Sequence, residues 1–189
     1  MKIFQFVFDE AEHLLYYYYK GEALIRKGYP FFLPKVNPQE EYVAYPSLLV
    51  RIGRTGREVA ARFAHRYING IGVGVDLVHL NRWHDLQSAG LPWEEAVAFE
   101  YASAGNLYDE VFDDEGPLPN YSVEGVGMSS VITESMMRQA VERMSRLNII
   151  HVGDILSIRT LSTSAIPLQV ENNYIINLTS DRNYTLRVK

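Results

Sequence analysis

Residues 68–80 limit most strongly what this chain can fold into. The run from Ile68 to Leu80 has strand character, and Gly70, Gly72 and Gly74 keep its backbone unobstructed on the way to Asp76. Other segments share its character. Residues 2–8 alternate apolar side chains up to the acidic break Asp9-Glu10 and predict a strand. Residues 14–19 predict a second, ending at the turn-favouring Lys20-Gly21, and residues 45–52 a third, closed by Gly53. Pro30, Pro34 and Pro38 punctuate an extended stretch, because proline supplies no ladder donor. From Ile149 onward the pattern is again β, ending in a hairpin of residues 174–179 and 184–188 around Asp181-Arg182-Asn183.

Two stripes have helical spacing. Thr55 and Glu58 read as a capping box, followed by Val59, Ala60, Phe63, Ala64 and Tyr67. Met137, Ala140, Val141, Met144 and Leu147 form the other, with Thr133 as its N-cap. The acidic residues 108–127 read as a surface loop or ragged edge hairpin. The expected class is therefore mixed and β-dominated (α+β), with two main helices. A chain of 189 residues without repeats or linkers fits one domain, residues 1–189.

Composition removes several chemistries. With no cysteine, disulfides, thiolate metal sites and Cys nucleophiles are excluded. A net charge of −5 does not favour nucleic acid as a partner. No window reaches the roughly 18 apolar residues of a membrane span, and residues 1–8 lack the form of a signal peptide, so the cytoplasm is the expected location. There is no dinucleotide or phosphate-loop fingerprint, and Ser103 and Ser129 each miss a nucleophile elbow by a flanking glycine. His79 and His84 are not spaced to share a helix face. The run Arg51, Arg54, Arg57, Arg62 and Arg66 is either a solvated face or a carboxylate- or phosphate-binding patch. Tyrosine is abundant, 13 residues with four consecutive at Tyr16 to Tyr19; these pack on a sheet or form an aromatic ligand platform.

A set of ordered motifs carries a resemblance. They are Arg51-Ile52-Gly53, Phe63-Ala64-His65-Arg66-Tyr67, Gly72-Val73-Gly74-Val75-Asp76, Gly90-Leu91-Pro92-Trp93-Glu94 and Ala98-Phe99-Glu100. Val152-Gly153-Asp154-Ile155-Leu156 and Tyr29-Pro30-Phe31-Phe32-Leu33-Pro34 extend the match over most of the chain. Together they resemble the fumarylacetoacetate hydrolase family, in its acylpyruvase and oxaloacetate decarboxylase branch. The resemblance implies a twisted, mainly antiparallel β roll, usually dimeric. It also implies Mg²⁺ or Mn²⁺ held by two glutamates and an aspartate, with a lysine and a His–Glu dyad handling substrate and water.

On that resemblance Asp76 matches the third metal ligand and His13 the dyad histidine. The two glutamate positions are Tyr45 and Ser47, the lysine position is Val97, and the dyad glutamate position is Tyr16. Of the Gly-Thr-Pro turn that holds a substrate carboxylate, Arg159-Thr160-Leu161 keeps only Thr160. Glu100 is the candidate replacement ligand, ahead of Glu40 and Glu41, which precede the strand.

One expectation follows directly: a pseudoenzyme with no cofactor, serving as a binding or partner protein. It would form a homodimer or pair with an active paralogue, with a small carboxylate as ligand. The alternative is a divergent Mg²⁺ or Mn²⁺ enzyme acting on a small 2-oxo or β-diketo acid, using Asp76, Glu100, His13, Arg159 and Thr160. A metal-free acid–base enzyme built on His and Tyr pairs is a third reading.

Overall fold

A computed structural model describes residues 1–34, 37, 39–110, 112, 118–178 and 181–189. Pro38, the end of the expected strand 174–179 and part of the acidic segment 108–127 lie outside the described residues. Strands dominate. β1 (Ile3–Phe8), β2 (Leu14–Gly21), β3 (Leu24–Ile25), β4 (Tyr42–Ile52), β5 (Ile68–His79), β6 (Ser103–Asp109), β9 (Ile155–Thr160) and β10 (Ile166–Pro167) form an eight-stranded sheet. Its order is β2-β1-β9-β4-β5-β6-β3, with β10 also pairing β4. Most pairs are antiparallel, as expected, but β1–β9 and β3–β6 are parallel. β7 (Tyr121–Gly125), β8 (Met128–Ile132), β11 (Asn173–Asn177) and β12 (Asn183–Arg187) make a second, antiparallel sheet.

The centre of the large sheet is the glycine-bearing strand. β5 pairs with β4 along its length and with β6 on its other side. A Cβ on Gly74 would lie 2.2 Å from the Ala104 carbonyl oxygen, so only glycine lets β5 and β6 come this close. Pro46 is accommodated inside β4 because the pairing there changes hands. β9 pairs residues 48–51 and β10 residues 43–44, leaving Pro46 between them on the side where its missing N–H matters least.

α3 (Glu134–Leu147) covers one face of this sheet. Thr133 caps it, its Oγ1 accepting the Met136 N–H, and Met136, Met137, Ala140, Val141 and Met144 are buried along the stripe. They join Phe4, Phe6, Leu48, Val50, Val73 and Ile158 from the large sheet and Val123, Ile132 and Tyr184 from the smaller one in one core.

The other expected helix requires correction. Residues 55–58 form no capping box, and Glu58 has φ 53°. Their amides are used elsewhere: Gly56 N donates to Ile150 O, and Glu58 N and Val59 N to Ser145 O and Oγ. Bonded to the end of α3, the chain turns into a short 3₁₀ helix, Ala61–Tyr67, whose N-cap Ala60 supplies no side-chain bond. The second helix of any length is α1 (Leu80–Ser88), followed by the single turn α2 (Glu94–Val97). In the acidic segment, β6 runs on to Asp109, and the described remainder ends in the β7–β8 hairpin at the edge of the smaller sheet. Among the described residues no helix is long and apolar enough to cross a membrane.

Candidate functional site

The tyrosine run explains how the site is built. Side chains alternate along β2, so Tyr17 stacks on Phe6 (centroids 5.2 Å apart) and Tyr19 lies against Phe4. Tyr16 and Tyr18 turn the other way and stack on each other, and both meet Trp93 edge-on. All four rings contact protein aromatics. Trp93 also packs on Trp83, so α1 and α2 cover this second face with Trp83, Leu86, Ala96 and Val97.

Tyr18 and Lys20, two residues apart, share that face and point into the curl of the sheet. Although β1, β9 and β4 separate β2 from β5, the curl brings both side chains onto Asp76. Lys20 Nζ lies 2.6 Å from Asp76 Oδ1, with both side chains at 0% exposure, and donates to Leu77 O at 2.7 Å. Tyr18 donates its hydroxyl to Asp76 Oδ2 at 2.5 Å. Arg159, from β9, places Nε 3.6 Å from the same oxygen and its guanidinium 4.2 Å from the centroid of the Tyr45 ring.

The electrostatics follow from burial. Burial pulls the Lys20 ammonium below its ordinary value, against the attraction of Asp76. Burial and then Asp76 push the Tyr18 phenol well up. For Arg159 burial acts downward, but Tyr18 and Asp76 outweigh it and its pKa is raised. One carboxylate therefore meets a lysine, an arginine and a phenol.

The other residues singled out in the sequence are spread more widely. Tyr45 and Ser47 stand on β4, Tyr45 directly opposite Asp76 in register, and the Ser47 hydroxyl donates to Tyr45 O. Val97 is buried in α2 against this face. Thr160 follows Arg159, its hydroxyl bonded to those of Ser162 and Thr163. His13 sits in the β1–β2 turn, where Asp9 accepts its backbone N–H and meets its ring. Glu100 lies after α2 and lines a groove of about 610 Å³ with Leu24, Tyr29, Phe32 and Tyr101. Neither His13 nor Glu100 joins Asp76. Lys20 and Tyr18 are not among the site residues expected from the sequence, and Lys20-Gly21, expected as a turn, instead continues β2. Their signal was the strand itself: with aromatic residues on both faces of β2, a lysine in step with Tyr16 and Tyr18 is buried.

This donor set does not suit a Mg²⁺ or Mn²⁺ ion. A hard dication takes about six oxygens, several of them anionic. Asp76 offers one carboxylate whose two oxygens already face Lys20, Tyr18 and Arg159. Among the described residues no three His, Asp or Glu side chains gather in a metal-holding group.

No protein-family model and no curated protein matches the chain. Solved structures do. A fumarylpyruvate hydrolase from Pseudomonas aeruginosa, in complex with Mn²⁺ and pyruvate, is similar over 100% of this chain and 89% of its own, with TM-score 0.80 and 16% identity. A 5-carboxymethyl-2-hydroxymuconate delta-isomerase from Mycobacterium smegmatis matches 99% of this chain and 78% of its own, with TM-score 0.75 and 19% identity. A protein assigned to the fumarylacetoacetate hydrolase family from Yersinia pestis CO92 matches 100% and 92%, with TM-score 0.74 and 20% identity. The fold is thus that of the fumarylacetoacetate hydrolase family, and its structural neighbours include a hydrolase and an isomerase.

Proposed function

We propose that this chain is a non-catalytic protein on the fumarylacetoacetate hydrolase fold, serving in the cytoplasm as a binding or partner protein. The observation that carries the reading is the state of Asp76. Its side chain is fully buried under the Trp93 wall, and its oxygens are engaged by Lys20, Tyr18 and Arg159. A carboxylate in this condition has no lone pair facing solvent with which to meet a metal ion or a substrate. Val97 at the expected lysine position adds no acid–base group.

The partner is a second copy of the chain or an active paralogue. What supports a partner is the apolar groove, where Tyr29 and Phe32 are 68% and 71% exposed beside Tyr101. Arg159 is 2% exposed and already faces Asp76 and the Tyr45 ring, so it offers no free cation to a small carboxylate ligand.

Mg²⁺ or Mn²⁺ at millimolar concentration is expected to leave the melting temperature unchanged, since a ligand bound only by the native state would raise it. Acylpyruvate cleavage and oxaloacetate decarboxylation are expected to stay at background. A saturable metal-dependent rise, removed by Asp76→Ala, or measurable turnover with either substrate would overturn the reading in favour of a divergent metal enzyme.

A further inference from the structure

The surroundings of the Lys20 nitrogen select one kind of ion. Two oxygens lie close, Asp76 Oδ1 as an ion-pair partner at 2.6 Å and Leu77 O as a hydrogen-bond acceptor at 2.7 Å. On other sides are two aromatic faces, with the Tyr18 centroid 5.7 Å and the Phe99 centroid 5.9 Å from Nζ. An ammonium has three N–H groups: one is donated to Leu77 O, the charge is paired with Asp76 Oδ1, and the remaining positive surface lies against π-faces, which attract organic cations. A dication would find two oxygens where it needs about six. Arg159, close by, adds repulsion against a second positive charge.

We propose that Lys20 is a resident cation tethered to β2, held in an ammonium-selective cage of Asp76, Leu77 O, Tyr18 and Phe99. Shortening its side chain converts that cage into a binding site for a small primary ammonium ion. The tether explains why a fully buried lysine is tolerated: the cation arrives with the fold, and its carboxylate partner is supplied by the strand across the curl. The proposal rests on the reading of the site as closed to metal, but it is tested separately.

The test is chemical rescue of the full-length Lys20→Ala variant. Its melting temperature is expected to fall by about 10 °C, as for a buried pair that loses one partner. n-Propylammonium chloride, which replaces the deleted atoms, should recover at least half of that fall saturably. NaCl, tetramethylammonium chloride, MgCl₂ and MnCl₂ at equal ionic strength should not. Adding Asp76→Asn to Lys20→Ala should abolish the recovery. Equal recovery by all salts, recovery by the dications, or no recovery by propylammonium in a folded variant would each overturn the proposal.

Should Lys20→Ala fail to fold, Lys20→Met keeps the volume and removes the charge. The double variant Lys20→Met/Asp76→Asn should then melt above Lys20→Met alone, because the carboxylate is no longer left unpaired. A double variant that melts no higher overturns the tether. Stabilisation of the unaltered chain by Mn²⁺ would count against the functional reading, whereas selectivity in Lys20→Ala judges the cage.

Discussion

Two buried aspartates, each 1% exposed, are handled by this molecule in opposite ways. Asp154 is held mainly by backbone: Oδ1 accepts the Lys2 N–H at 2.8 Å and Oδ2 the His151 N–H at 2.9 Å. It fixes the turn before β9 to the start of β1, and Lys2 Nζ at 3.8 Å is a weak addition. Asp76 is held by side chains from β2 and β9 that, among the described residues, pair with no other carboxylate. Backbone donors are neutral dipoles that exist whatever the side chain. Buried cations are charges that become costly when their partner disappears. The same residue type therefore has different consequences when removed.

The largest expected effect is Asp76→Ala, which strands Lys20 and Arg159 and should lower unfolding stability by about 3–5 kcal/mol in urea titrations. Asp154→Ala leaves two N–H groups without their acceptor and should cost about 1–3 kcal/mol. Equal losses in the two variants would break the distinction.

Glu134 is a mixed case. It accepts the Leu118 N–H at 3.0 Å and the Arg138 Nε–H at 2.6 Å. Burial raises its pKa, but these donors together outweigh it and hold the carboxyl below its ordinary value. Its contribution is present above the unfolded-state pKa and is lost as pH falls through the folded one. Glu134→Gln should therefore cost less than about 1 kcal/mol at pH 7. It should also flatten the acid side of the stability profile. An unchanged acid slope would remove Glu134 from this middle position.

The sequence made one half of this contrast readable and hid the other. Asp76 stands out because it follows the three glycines of β5 and matches a family motif, and Thr133 is a legible cap because its bond is made to a residue three positions away. Lys20 reads as part of a turn, since it precedes a glycine at the end of a tyrosine run. Only the curl of the sheet buries it, and curl is a property of many strands at once. Thr55 failed for a related reason: its neighbours' amides are claimed by Ser145 and Ile150, far along the chain. Local patterns were read well where partners are local, and poorly where the partner belongs to another strand or helix.

The parallel pairing of β1 with β9 carries a consequence for the order of events during synthesis. β1 leaves the ribosome before its inner neighbour, which is made only when residues 155–160 appear. Until then β1 and β2 can form a hairpin, but no strand joins that hairpin to β4 and β5 in the sheet. Closing the sheet between that hairpin and β4 therefore requires a contact of high sequence separation, the kind that costs loop-closure entropy.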